Sequence, residues 1–145
     1  VFVGGVVVLE EVVGFLVRAC GRYMCVLGTS SPEGVPNVVP IGYIKFFEGK
    51  LLLADSYFTK TKENIIKNPK VAITCWDPET FDGYQLKGRA SIDTGRYYEV
   101  VAEDFRDKPW KPRATVVVDV EEIYTVKPGE YGKKIISKYG ITNNL

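Results

Sequence analysis

The sequence predicts a mainly β chain with short helices, folded as a six-stranded antiparallel barrel. Three observations lead there. Six segments read as strands, and most are joined by short links. Helical patterns are inserted between them at only two places. The last strand carries a run of valines, so both of its faces call for cover, one inside the barrel and one on a second subunit. That second requirement predicts a homodimer.

Taken in order, the chain opens on VFVGGVVVL, apolar but too short to span a bilayer and lacking a basic leader. These residues are expected either to form a strand packing across an interface or to be a loose terminus. From Glu10 to Cys20, Val12, Val13, Leu16 and Val17 follow helical spacing, with Gly21 as the stop. Tyr23 to Thr29 reads as a strand and Ser30 to Gly34 as a turn. Val35 to Phe47 is extended, with Pro36 and Pro40 marking an edge or bulge. The turn FEGK joins it to Leu51–Asp55 in a hairpin.

A helix opens at Thr59, buries Ile65 and Ile66, and stops at Asn68 before Pro69. Lys70–Asp77 and Gly83–Asp93 follow as strands, the second with a bulge at Gly88. Arg96–Phe105 forms the other inserted helix, and Arg113–Val126 the last strand. The tail after it is polar and contains glycine. Neither a repeat nor a domain boundary interrupts the chain, so one domain is expected over residues 1–145, with 1–9 and 130–145 peripheral.

Composition removes several functions. Nineteen basic and 18 acidic side chains leave a net charge near +1, which argues against a broad nucleic-acid surface. The 145 residues contain no histidine, which excludes His-based metal sites, Ser-His-Asp and Cys-His catalysis, and His-ligated haem. Cys20, Cys25 and Cys75 form neither a CxxC pair nor a zinc spacing. They read as buried free thiols of a cytoplasmic protein, a disulfide from Cys20 being the minor alternative.

The helix after Thr59 begins Lys60-Thr61-Lys62. Cations are disfavoured by the positive end of the helix dipole. The arrangement is explained if an anion such as a phosphate binds the free N–H groups there, or if both lysines point into solvent.

The runs PNVVPIGYI, LLLADSYFTKTKENIIKNPKVAI and GYQLKGRASI together resemble the FMN-binding split-barrel family, which includes pyridoxamine 5′-phosphate oxidase and small FMN-binding proteins. The most specific piece is Lys60, Thr61, Asn64, Asn68, Pro69 and Val71. The resemblance spans roughly residues 10 to 130 and implies FMN at a dimer interface, a deazaflavin being the alternative cofactor. It assigns Lys60 and Thr61 to the phosphate, one as a point charge and one through its hydroxyl and N–H. Val38, Val39 and Pro40 match the strand along the flavin. Ala54, Asp55 and Ser56 match the segment whose backbone meets the ring edge. Lys87 stands where a basic neighbour is often placed, and Trp110 where a tryptophan reaches the partner's flavin.

Each assignment has a plainer counterpart. Val38, Val39 and Ala54 would look the same as core residues, Asp55 and Ser56 as turn residues, Lys87 as a solvated charge and Trp110 as a loop anchor. Lys60 and Thr61 stand apart because motif and helix-terminus chemistry agree. The Arg-Leu-x-Pro segment that grips substrate in pyridoxamine phosphate oxidases is absent. The resemblance therefore implies a flavoprotein exchanging hydride or electrons with a small molecule, with Tyr43 or Tyr57 helping Trp110 wall the cofactor. Non-catalytic FMN carriage and a cofactor-free structural dimer are the competing readings. No general base is identifiable.

Overall fold

The computed structural model describes the backbone of residues 3–129, 134–137 and 140–141, and the side chains of residues 10–129. Helix α1 (Val3–Gly21) leads into β1 (Cys25–Ser30) and β2 (Pro36–Pro40). The hairpin β3 (Ile44–Phe47) and β4 (Lys50–Asp55) is followed by α2 (Lys60–Lys67). Then come β5 (Lys70–Trp76), β6 (Gly83–Asp93), α3 (Arg96–Asp104) and β7 (Ala114–Thr125). Short strands β8 (Lys134–Ser137) and β9 (Gly140–Ile141) add to β7.

All pairings are antiparallel, in the order β2-β1-β5-β6-β7-β4-β3. The two ends of this path, β2 and β3, are consecutive in the chain yet not hydrogen-bonded to each other, so the sheet curls without closing: a split barrel. The expected strand over residues 35–47 is in fact two, which raises the expected six strands to seven along the path. The Ile41 N–H still donates to the Cys25 carbonyl at 3.1 Å, in line with the β1–β2 register, and the extended run breaks just after it, before β3 begins at Ile44. The hairpin turn forms as read, with Glu48 and Gly49 both at positive φ. The bulge also stands at Lys87/Gly88, where a Cβ on residue 88 would lie 2.0 Å from the Asp119 carbonyl oxygen.

Alternation along β4 and β7 divides the interior in two. Leu51, Leu53, Val116 and Val118 pack with Val12, Leu16, Leu27, Ile73 and Leu86 in the main core. Leu52 and Val117 face the other way, against Val101 and Phe105. The second face of the valine strand is thus covered by α3 and the turn after it, not by another subunit, so this strand supplies no argument for a dimer.

Two further expectations change. Residues from Val3 onward belong to α1, not to a strand or a loose terminus. On α2 the buried stripe is Thr61, Asn64 and Ile65, while Ile66 is 67% exposed. Buried positions 61, 64 and 65 follow the i, i+3, i+4 rule, which turns residue 66 outward. The three cysteines are buried and free. No helix among the described residues is long and apolar enough to cross a membrane.

Candidate functional site

A cleft of about 580 Å³ opens between the β2–β3 connection, the end of β4 and the segment after α3. Val39, Pro40, Ile41, Gly42 and Tyr43 form one side, Ala54, Ser56, Tyr57 and Phe58 a second, and Asp104, Phe105, Lys108 and Trp110 a third. Tyr23 closes the remaining edge. An aromatic chain runs along it: Tyr43 to Phe105 at 5.0 Å between centroids, then Phe105 to Trp110 at 4.8 Å. Both contacts are tilted, which suits the ring quadrupoles. The size matches a small-molecule site, and so does the mixture of apolar wall and few polar groups.

One polar group in the wall is Asp104. Its carboxylate accepts from the Tyr43 hydroxyl at 2.6 Å and from Lys45 Nζ at 3.0 Å. Partial burial pushes the carboxyl up, but these two hydrogen bonds and the Lys45 charge outweigh it and hold it below the usual carboxylate range. Burial, then the hydrogen bond to Asp104 and its charge, push the Tyr43 phenol well above its ordinary value. Tyr43 is therefore a neutral donor at physiological pH and does not act as a base.

The floor of the cleft continues into α2 through the turn 55–59, which Asp55 organises. Asp55 is fully buried, and its Oδ1 accepts from the Phe58 N–H at 2.8 Å and from Arg113 Nη2 at 3.1 Å. Arg113 Nη2 also donates to the Phe58 carbonyl at 2.5 Å, and the Arg113 N–H to the Asp55 carbonyl at 2.7 Å. One side chain from the start of β7 thus ties both ends of the turn. Asp55 Oδ2 is buried without a hydrogen-bond partner. Arg113 is a further residue of the site, and an arginine directly before a strand that opens with five buried residues is a signal for a paired charge.

Helix α2 begins two residues after Phe58. The Cα atoms of Phe58 and Lys60 are therefore at most about 7 Å apart. Thr59 makes no side-chain cap, so the N–H groups of the first turn lack that acceptor. Lys60 is half exposed and lies 3.5 Å from Glu63, whose carboxylate offsets the lysine at the helix start. Thr61 is buried, and its Oγ1 accepts from Asn37 Nδ2 at 3.1 Å. Asn64 Nδ2 in turn donates to Thr29 Oγ1 at 3.0 Å. The motif residues Thr61 and Asn64 thereby dock α2 onto β1 and β2.

The structure brings Val39, Pro40, Ala54, Ser56 and Trp110 into one cleft, with Asp55 just beneath it. Lys60 and Thr61 do not line the cleft; they open α2, two and three residues beyond Phe58 in its wall. Val38 does not line the cleft: it points outward from edge strand β2, 64% exposed. Lys87 also lies elsewhere, its Nζ 5.0 Å from the Tyr124 ring centroid. Tyr23, Phe58, Asp104, Phe105 and Lys108 line the cleft without having been legible as site residues. Among the described residues, no group of three or more metal-ligating side chains forms.

These residues fit a flavin mononucleotide. The cleft offers a broad apolar surface with aromatic edges, and one short turn separates it from free helical N–H groups beside a lysine. The comparisons bear on the family and the fold. The pyridoxamine 5′-phosphate oxidase family model matches residues 9–127. A Methanocaldococcus jannaschii protein, MJ0282, is 36% identical over 129 residues, covering 85% of this chain and 86% of that one. Among solved structures, Group A Streptococcus HupZ superposes with a TM-score of 0.72 at 24% identity, covering 84% of this chain and 96% of HupZ. An FMN-binding protein from Syntrophomonas wolfei gives 0.69 at 13% identity, with 83% and 90% covered. At these identities both structures speak for the fold alone.

Proposed function

The chain belongs to the pyridoxamine 5′-phosphate oxidase family, and from that premise we propose that it is an FMN-dependent oxidoreductase acting on a small molecule. The observation that carries this reading is the aromatic-walled cleft of about 580 Å³, whose lining reaches Phe58, two residues before the uncapped start of α2. Lys60 and the first N–H groups of α2 hold the phosphate, and the Thr61 hydroxyl, already accepting from Asn37, retains its proton to donate. The 54–56 backbone meets the ring edge. Val39, Pro40 and Trp110 cover the ring and limit solvent. The bound flavin supplies the hydride or electron chemistry, and the protein supplies orientation and local charge.

A homodimer and a cytoplasmic setting belong to the same reading. The cleft stands open at Tyr57, which is 82% exposed, and at Trp110, which is 46% exposed, and a second copy would cover such a wall. Three buried free thiols suit a reducing compartment. An FMN carrier without turnover is the second reading, favoured by two polar groups of the wall that are already engaged: Tyr43 is held neutral, and Asp104 accepts from both Tyr43 and Lys45.

Releasing the cofactor from purified protein by denaturation and identifying it by mass spectrometry tests the proposal. FMN is expected. A deazaflavin would replace the cofactor while keeping the site. A colourless protein whose addition leaves FMN fluorescence unchanged would sink the flavin reading. Saturable oxidation of NADH or NADPH then separates an enzyme from a carrier.

A further inference from the structure

We propose that Tyr23 is a stacking platform for a flat aromatic ring in the cleft, and that the fold accepts backbone strain to put it there. Tyr23 ends α1 in a Schellman arrangement: the Met24 N–H donates to the Ala19 carbonyl at 2.8 Å and the Tyr23 N–H to the Cys20 carbonyl at 3.0 Å. The residue between must be left-handed, and Tyr23 has φ 60°. Glycine is the default there because a Cβ is disfavoured. A tyrosine normally recovers such a cost by burying its ring, yet Tyr23 is 74% exposed.

What the ring does touch is the cleft. It lies on Gly42, where a Cβ would come within 2.8 Å of Tyr23 Cε1, so a side chain at residue 42 would displace the ring from this seat. From that seat it forms an edge of the cleft that also holds Tyr43 and Trp110. A strained residue, a glycine that accommodates its ring and an open aromatic cavity are three separate observations, and a stacked ligand explains all of them. The ring it receives is either the flavin's own or that of a second flat molecule, such as a quinone. This rests on the flavin reading only in the first case.

Phe81 provides a control. It too is left-handed, at φ 62°, and 63% exposed, but it does not line the cleft. The experiment compares wild type with Tyr23→Gly, Tyr23→Phe and Phe81→Gly. Melting temperatures are taken without ligand, and affinities for FMN and for menadione are titrated by flavin and tryptophan fluorescence. Tyr23→Gly is expected to melt about 2–4 °C higher and to bind at least one of the two rings about three- to tenfold more weakly. Tyr23→Phe should bind within about twofold of wild type, since the ring and not the hydroxyl stacks. Phe81→Gly should gain stability with both affinities unchanged.

A loss for FMN alone assigns the flavin's ring, and a loss for menadione alone assigns the second molecule's. If Tyr23→Gly leaves both affinities unchanged, or melts lower than wild type, Tyr23 is only a helix-end residue and the proposal falls. It falls equally if Tyr23→Phe loses as much as Tyr23→Gly. Wild-type protein that binds menadione but not FMN would sink the flavin reading and leave Tyr23 to be judged on menadione. Binding of neither ring overturns both.

Discussion

The ring cleft and the start of α2 serve one proposed ligand but are built in opposite ways. The cleft is assembled from four separate stretches of chain, and its aromatics are held by packing: Tyr43 on Phe105, Phe105 on Trp110, Tyr23 on Gly42. The α2 start is a single run of sequence, and its polar side chains are held by hydrogen bonds from Asn37 to Thr61 and from Asn64 to Thr29. The lesson is that a local motif can show where a phosphate sits while remaining silent about what lies next to it.

The turn 55–59 couples the two regions, so cutting it gives the largest effect. Arg113→Ala leaves the buried Asp55 carboxylate with the Phe58 N–H as its remaining contact. Losing a partner of a buried charge costs several kcal/mol, but half-exposed Arg113 is partly replaced by water, so about 2–3 kcal/mol is expected. Urea unfolding should show the lower midpoint, and FMN affinity should fall with it. An unchanged midpoint would mean the two regions are not joined through this residue.

Thr61→Val comes next. It removes the acceptor for Asn37 and should cost about 1–2 kcal/mol of stability, while Thr61→Ser keeps both the bond and the stability. If valine is as stable as threonine, the α2 start is not anchored as described. On the cleft side, Trp110→Ala should weaken FMN binding by about 0.5–1.5 kcal/mol and leave riboflavin and FMN equally affected, because the contact is to the ring. A greater loss for FMN would move Trp110 to the phosphate end.

The smallest effect is on the pH profile. Cys20, Cys25 and Tyr43 all have protonation equilibria raised by folding, so their stabilising contributions are complete below their ordinary values and fade as pH rises towards the folded ones. Stability should therefore decline above pH 9.0, where unfolded thiols ionise, and further above pH 10.0, where an unfolded tyrosine does. Tyr43→Phe should lessen only the part above pH 10.0, where Tyr84, also raised by burial, keeps its own share. A profile identical to wild type would show that Tyr43 is not held neutral by the cleft wall.

Much of this architecture is legible in the sequence because it is carried by local signals. Turn residues announce the hairpin at Glu48–Gly49, Gly88 its bulge, Pro69 the end of α2, and Lys60-Thr61 the proposed phosphate end. What was not legible depends on distant partners. The valine strand shows that two faces are covered but not by what, and α3 supplies the cover from the same chain. Ile66 shares its residue type with Ile65 and differs only in angle around the helix. Tyr23 looks like the first residue of a strand, because nothing in its own neighbourhood tells that Gly42 lies beneath it. Asp55 resembles any turn aspartate until Arg113 arrives from the far end of the chain.

The central claim is that the cleft and the α2 start bind two parts of one molecule. FMN and riboflavin differ only by the phosphate, so titrating both into wild type and Lys60→Ala tests it directly. FMN should bind Lys60→Ala about 1.5–3 kcal/mol more weakly than wild type, with riboflavin affinity the same in both proteins. Equal loss for both ligands, or no loss for FMN, would contradict it.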